Sequence, residues 1–309
     1  MRLVQSRMHG LKKVNKSVMI EPGVKTSGLF AQISKVSRRL FACCKQKGIT
    51  MIFDTHTHYD DDQFDEDRET LLLSLAENGV GAIANMGASM RGAKDSVALA
   101  KKYSFAYAAV GIHPDHAKEL NEEEFAVLKK LAAEEKVVAI GEIGLDYYWD
   151  ATEREEQKYW FKRQLLLAQE LKLPVVIHSR EAAADTLEIM KEAYQTSGKT
   201  LTGVIHCFSY GVEMAMEYLK MDFYLGVGGV ATFKNGRKLK EVIEAAPLEK
   251  IVLETDCPYL APVPFRGKRN SSEKLSYVVD AIAEIKDLTR EEVERITWDN
   301  ACRLYGLEL

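Results

Sequence analysis

The chain has 309 residues, 42 Lys and Arg against 46 Asp and Glu, and a formal net charge of −4, a length that suits two ordinary domains or one large barrel. With 46% hydrophobic and 28% charged residues it is not a disordered chain, and no apolar run reaches the roughly 18 residues of a helical membrane span. The charge is unevenly placed: residues 1–50 hold 11 Lys or Arg and one acid, Glu21, so they stand at +10 and residues 51–309 at −14.

In chain order, the first element is the basic segment 1–50. Rich in Arg, Lys and Ser, it reads as a disordered arm, an organellar transit peptide, or translated sequence upstream of a true start at Met51. From Met51 onward, short apolar runs alternate with amphipathic stretches. Eight runs are expected to be strands: 51–54, 80–85, 105–110, 137–141, 175–178, 202–206, 223–227 and 251–255. Several are continuous Val, Ile, Leu and Ala, as in strands buried on both faces. Helices are expected over 121–133, where Glu122–Glu124 suit an N-terminus, over 153–171, and near 272–285 and 290–305. Eight strand-then-helix repeats predict a closed TIM-type (β/α)8 barrel over 51–309. The five cysteines, at 43, 44, 207, 257 and 302, form no C-x-x-C pair, which points to a reducing cytoplasm.

Five of the seven histidines fall at or just beyond strand ends: His56, His58, His113, His178 and His206. Glu142 and Asp256 do the same. In a parallel barrel these ends converge on one face, where active sites are assembled. His56-Thr57-His58 sets two imidazoles on the same side of an extended segment, able to ligate one metal ion. The mixed His and carboxylate set suits Zn²⁺, Mn²⁺, Co²⁺ or Ni²⁺ ahead of Mg²⁺. Four imidazoles and two carboxylates exceed one tetrahedral site. With Glu142 as a bridge they divide into His56, His58 and Asp256 on one ion and His178 and His206 on the other. Two such ions, about 3.5–4 Å apart, can hold a hydroxide nucleophile between them.

Phe53-Asp54-Thr55-His56-Thr57-His58, Gly111-Ile112-His113-Pro114, Gly141-Glu142-Ile143-Gly144-Leu145-Asp146, Ile177-His178-Ser179-Arg180, His206-Cys207-Phe208 and Glu254-Thr255-Asp256-Cys257-Pro258-Tyr259-Leu260 stand in this order. Together they resemble the TatD family of metal-dependent deoxyribonucleases, from about Met51 to the C-terminus. The resemblance implies an amidohydrolase-like barrel with two divalent ions at the residues above. It further implies hydrolysis of DNA phosphodiesters, often from the 3′ end, with Glu142 and Asp256 as catalytic groups and His113 on a substrate phosphate. The partner is then DNA, single-stranded or with accessible ends, with no membrane and no obligate protein partner.

Arg266, Lys268 and Arg269 form a basic loop after the eighth strand, where barrels often bind phosphate, and are expected to hold substrate phosphates. Ser271-Ser272 stands where family members commonly carry Glu-Pro, which leaves the loop's conformation open. Arg180 and Tyr259 read as pocket walls. Alternation turns Cys207 and Cys257 away from the metals, as buried packing residues. The acidic stretch 60–67 reads as a solvated loop. Two other functions fit the residues: ester or amide hydrolysis, such as deacylation of an aminoacyl-tRNA-like ester, and non-catalytic nucleic-acid binding through the basic segment.

Overall fold

The computed structural model describes residues 50–149 and 151–309. The expectations for the basic segment 1–50 lie outside the described residues, apart from Thr50, whose hydroxyl donates to Glu294. Eight strands, β1 (Ile52–Thr57), β2 (Val80–Met86), β3 (Ala106–Val110), β4 (Val137–Asp146), β5 (Val175–Arg180), β6 (Gly203–Ile205), β7 (Tyr224–Val227) and β8 (Ile251–Leu253), pair in parallel and in sequence order. Between and after them run α1 (Arg68–Ser74), α2 (Met90–Lys102), α3 (Glu122–Ala132), α4 (Arg154–Leu171), α5 (Ala183–Thr196), α6 (Val212–Lys220), α7 (Arg237–Ala245), α8 (Leu275–Lys286) and α9 (Arg290–Tyr305). This is the (β/α)8 barrel. No described helix is long and apolar enough to cross a membrane.

The seam between the first and last strands is closed by their ligand-bearing ends. The Asp256 N–H donates to His56 O at 3.0 Å, and the His58 N–H to Cys257 O at 2.9 Å. Asp54, fully buried, ties the same seam by accepting the Thr255 N–H at 2.9 Å and the Thr255 hydroxyl at 2.7 Å. Burial pushes the Asp54 carboxyl up to about 7 despite these bonds.

Alternation along the strands builds two apolar layers. Ile52, Ile140, Ile177 and Leu253 face outward onto helix residues such as Phe161, Ile189, Val242 and Val279. Phe53, Ala139, Val176, Val204 and Val252 face inward, and Leu304 and Tyr305 of α9 join them to plug the N-terminal end. Phe53 meets Trp298 and Tyr305, each at 5.8 Å between ring centroids, and the Tyr305 hydroxyl donates to Thr55 O at 2.7 Å. α9 starts on a capping box, Thr289 with Glu292. α3 starts as expected from Asn121, whose side chain accepts the N–H groups of Glu123 and Glu124.

The strands differ from expectation mainly in length. β4 continues five residues past Gly141 to Asp146, buried throughout, because Glu142 and Asp146 find partners that let polar side chains stay inside. β6 and β8 stop early, at Ile205 and Leu253, since Cys207 and Asp256 turn into left-handed backbone at φ 45 and 57. Gly144, at φ 149, pairs with His178 so closely that a Cβ would lie 1.9 Å from the His178 carbonyl oxygen. A glycine is required there, and it brings β5 to the level of Glu142.

Candidate metal centre

Six side chains from five strand ends converge on the C-terminal face. Glu142, on β4, lies at their middle with its two oxygens turned to different imidazoles. Oε2 is 3.4 Å from His56 Nε2 and 3.7 Å from His58 Nε2. Oε1 is 2.8 Å from His178 Nδ1 and 3.7 Å from His206 Nε2. Asp256 completes the first group, its Oδ1 lying 3.3 Å from His58 Nε2 and 3.7 Å from His56 Nε2. It also reaches His206 Nε2 at 3.8 Å, so the two groups share an edge.

The donor chemistry fits divalent transition-metal ions. His56 Nε2 and His58 Nε2 are 3.1 Å apart, aimed at one point that Glu142 Oε2 and Asp256 Oδ1 also border. Imidazole nitrogens with carboxylate oxygens are the ligand set for Zn²⁺, Mn²⁺, Co²⁺ or Ni²⁺. His56 with His58 and Glu142, and Glu142 with His178 and His206, each form a group close enough to hold an ion.

Two carboxylates that the sequence left unassigned orient the second pair of imidazoles. Asp146 Oδ2 is 3.0 Å from His178 Nε2, which leaves Nδ1 for the Glu142 side. Glu254 Oε2 is 3.2 Å from His206 Nδ1, which leaves Nε2. Such partners fix which ring nitrogen is free to ligate. Gly226 makes room for Glu254, because a Cβ there would lie 2.3 Å from Oε2. A signal for Asp146 was present in its spacing: it falls on the same side of β4 as Glu142.

Burial works against charge throughout the cluster, and the partners outweigh it at most members. The Glu142 carboxyl, though buried, is held well below the usual range by the His206 and His56 rings and a hydrogen bond from His178. Burial likewise opposes charge at Asp256, yet a hydrogen bond from His58 and the His206 ring lower its carboxyl. Against burial, His58 rises to about 9 through Asp256, His178 to about 9 through Asp146 and Glu142, and His206 to about 9 through Glu254 and Glu142. His56 moves down, from burial and from facing His206.

His113 stands at the edge of this group, its Nε2 3.9 Å from Glu142 Oε1. Burial and the neighbouring His178 push its ring down to about 3, so it is neutral. Its Nδ1 accepts the Asp115 N–H at 3.2 Å, which places the proton on Nε2.

The basic loop is anchored rather than loose. Asn270, buried, donates to Thr255 O at 3.0 Å, and Ser272 meets the Tyr59 hydroxyl through its N–H at 3.0 Å and its own hydroxyl at 2.9 Å. Those bonds set the conformation that Ser271-Ser272 had left open. Within the loop, Arg269 pairs with Asp67 at 2.5 Å and donates to Gln63 O at 2.6 Å. That guanidinium is committed to the loop after β1. Arg266 lies over the Phe233 ring at 4.5 Å and, like Lys268, is exposed.

Other expectations need revision. The acidic stretch is wired rather than merely solvated: Asp60 accepts from Asn85 at 2.7 Å, Asp65 from Arg68 at 2.7 Å and Asp61 from the Tyr259 hydroxyl at 2.9 Å. Cys257 is buried in the apolar cluster of Tyr59 and Leu72, as alternation requires. Cys207 is only half-buried and lies beside His206 and Glu254, because its left-handed backbone breaks the alternation.

The family model for TatD related DNases matches residues 53–306. The chain is 44% identical over 257 residues to the metal-dependent hydrolase YabD of Bacillus subtilis, covering 83% of this chain and 100% of that one. It is 34% identical to the metal-dependent hydrolase YcfH of Escherichia coli K12, over 83% of this chain and 96% of the relative. Among solved structures, YjjV, a TatD homologue of E. coli K12, is similar with a TM-score of 0.78 and 30% identity, across 83% of this chain and 98% of its own.

Proposed function

The chain belongs to the TatD family of metal-dependent hydrolases, and we propose that it cleaves DNA phosphodiesters, as an exonuclease working from the 3′ end of single strands. In this reading two divalent ions are held by His56, His58, Glu142, His178, His206 and Asp256. The observation that carries it is the division of Glu142, one oxygen toward His56 and His58 and the other toward His178 and His206. When bound, paired ions supply a nucleophile at neutral pH and neutralise charge on the phosphoryl oxygens.

The chain's own groups do the rest. Asp256, on a side chain 19% exposed at the mouth of the cluster, turns Oδ1 to the imidazoles and with its second oxygen takes the proton released as phosphorus is attacked, returning it to the leaving 3′ oxygen. Asp146 and Glu254 keep His178 and His206 in one tautomer, so that ligand positions do not drift during turnover. Neutral His113 offers its Nε2–H to a non-bridging phosphate oxygen. Arg266 and Lys268 meet flanking phosphates from the loop after β8. Arg269 contributes through its bond to Asp67, by holding that loop in place.

The decisive experiment strips the protein of metal, restores one cation at a time, and assays end-labelled single-stranded DNA, RNA and a simple carboxyl ester in parallel. Release of mononucleotides from the 3′ end of DNA is the expected result. Ester hydrolysis with DNA left intact under every cation would overturn the reading in favour of a deacylase.

A further inference from the structure

Three consecutive aromatic residues follow β4, and the fold treats them differently. Tyr147 is used structurally: its hydroxyl donates to Asp185 at 2.7 Å and the Arg154 guanidinium lies 4.2 Å from its ring centroid. Tyr148 and Trp149 point into water, 55% and 60% exposed, and Trp149 is the most exposed large apolar side chain among the described residues. Neither belongs to an apolar core cluster. Their rings are 5.0 Å apart at 88°.

The pair is nonetheless held firmly against the metal centre. The N–H groups of Tyr148 and Trp149 both donate to Asp146 Oδ1, at 2.8 and 3.1 Å. The other oxygen of Asp146 meets His178 Nε2 at 3.0 Å, and His178 Nδ1 meets Glu142 at 2.8 Å. One carboxylate thus fixes both an aromatic loop and a metal-facing imidazole. Arg180, at the end of β5 and in register with Asp146, lays its guanidinium 3.9 Å from the Tyr148 centroid and 5.4 Å from that of Trp149. It is exposed, and no carboxylate among the described residues pairs with it.

We propose that Tyr148, Trp149 and Arg180 form a stacking platform that holds the bases of single-stranded nucleic acid while the adjoining phosphodiester enters the metal centre. The inference rests on the phosphodiesterase reading and specifies how that substrate is gripped. Every base offers a π face, so aromatic platforms bind single strands with little regard to sequence. Arg180 adds a cation that stacks on bases or pairs with a phosphate. A duplex hides its base faces in its own stack, so this surface selects single strands and frayed ends.

The test uses the metal-loaded full chain and a short oligodeoxythymidylate with phosphorothioate linkages, which resist cleavage. Its control is an abasic strand of the same length and linkages, equal in charge. The thymine strand should bind about tenfold or more tightly than the abasic one, the range expected for one or two stacked bases. Trp149→Ala and Tyr148→Ala should each reduce that preference severalfold and leave abasic binding unchanged. Thymine stacking should also quench tryptophan fluorescence in the wild type and not in Trp149→Ala, since Trp160 is buried and Trp298 packs at the opposite end of the barrel. Equal affinity for the two strands, or quenching that survives Trp149→Ala, would overturn the platform and leave the patch to another occupant such as a protein. Cleavage of an unmodified strand by the wild type is scored separately. Its absence with every cation ends the phosphodiesterase reading. Cleavage indifferent to bases and to both variants ends the platform alone.

Discussion

Phe53 and His56 share a strand and are equally hidden, at 2% and 0% exposure, yet the two ends of β1 are held by opposite means. At the N-terminal end, Phe53 is enclosed by Trp298 and Tyr305, and burial itself is the stabilising term. At the C-terminal end, burial opposes charge on the histidines and carboxylates, and only their mutual pairing offsets it. The lower half of the barrel therefore carries stability, and the upper half holds groups that a stability optimum would exclude. Substitutions should separate accordingly: below, into unfolding; above, into metal and turnover.

The sharpest break between the two ends is Glu142→Ala. It removes the carboxylate that turns a separate oxygen to each imidazole pair, so DNA hydrolysis should fall by about a thousandfold or more. Metal content by elemental analysis should fall with it, while the metal-free protein still folds, as far-ultraviolet circular dichroism reads. Near-normal turnover with full metal occupancy would end the assignment of Glu142 as the shared ligand. Phe53→Ala is its mirror image. The cavity beneath the barrel should lower stability by about 3–5 kcal/mol in denaturant titration, with metal bound per folded chain unchanged.

A smaller effect sharpens the contrast within the upper half. His58, His178 and His206 are raised to about 9 and so are protonated at pH 7 without metal, whereas ligation needs neutral rings. Metal uptake should release protons, and apparent affinity should climb from pH 7 to about 9 before levelling off. Calorimetry in buffers of different ionisation enthalpy reads both. Glu254→Gln removes the charge that lifts His206, so proton release should shrink while metal affinity drops by about 10–100-fold. The sign for folding of the metal-free chain is the reverse. Raised imidazoles add stability that is complete below pH 6.5 and lost as pH rises through about 9.

The strands were readable because buried parallel strands are nearly pure Val, Ile, Leu and Ala, as in residues 137–141 and 175–178. The cluster was readable because His56, His58, His178 and His206 are costly residues to bury and recur at strand ends. The true length of β4 was hidden, since Glu142, Gly144 and Asp146 look like an exit from a strand until their partners across the barrel are known. Asp146 and Glu254 were hidden for a related reason. An acid's type does not reveal which ring nitrogen it faces; that depends on neighbours supplied by other strands. The Arg269 pair was hidden too, because a basic residue beside a proposed phosphate site gives no sign that Asp67, far earlier in the chain, meets it.

The seam at His56–Asp256 and His58–Cys257 has a consequence for how the protein is made. Translation delivers the first two imidazoles at the outset and the last carboxylate only when most of the chain has emerged. Until β8 docks beside β1, the first pair of imidazoles lacks its carboxylate from the last strand. Closure of the fold and completion of the ion-binding set are then one event, so a truncated or stalled chain carries neither. Ribosome-bound chains are thereby kept from acquiring the complete ligand set before the scaffold that positions it exists.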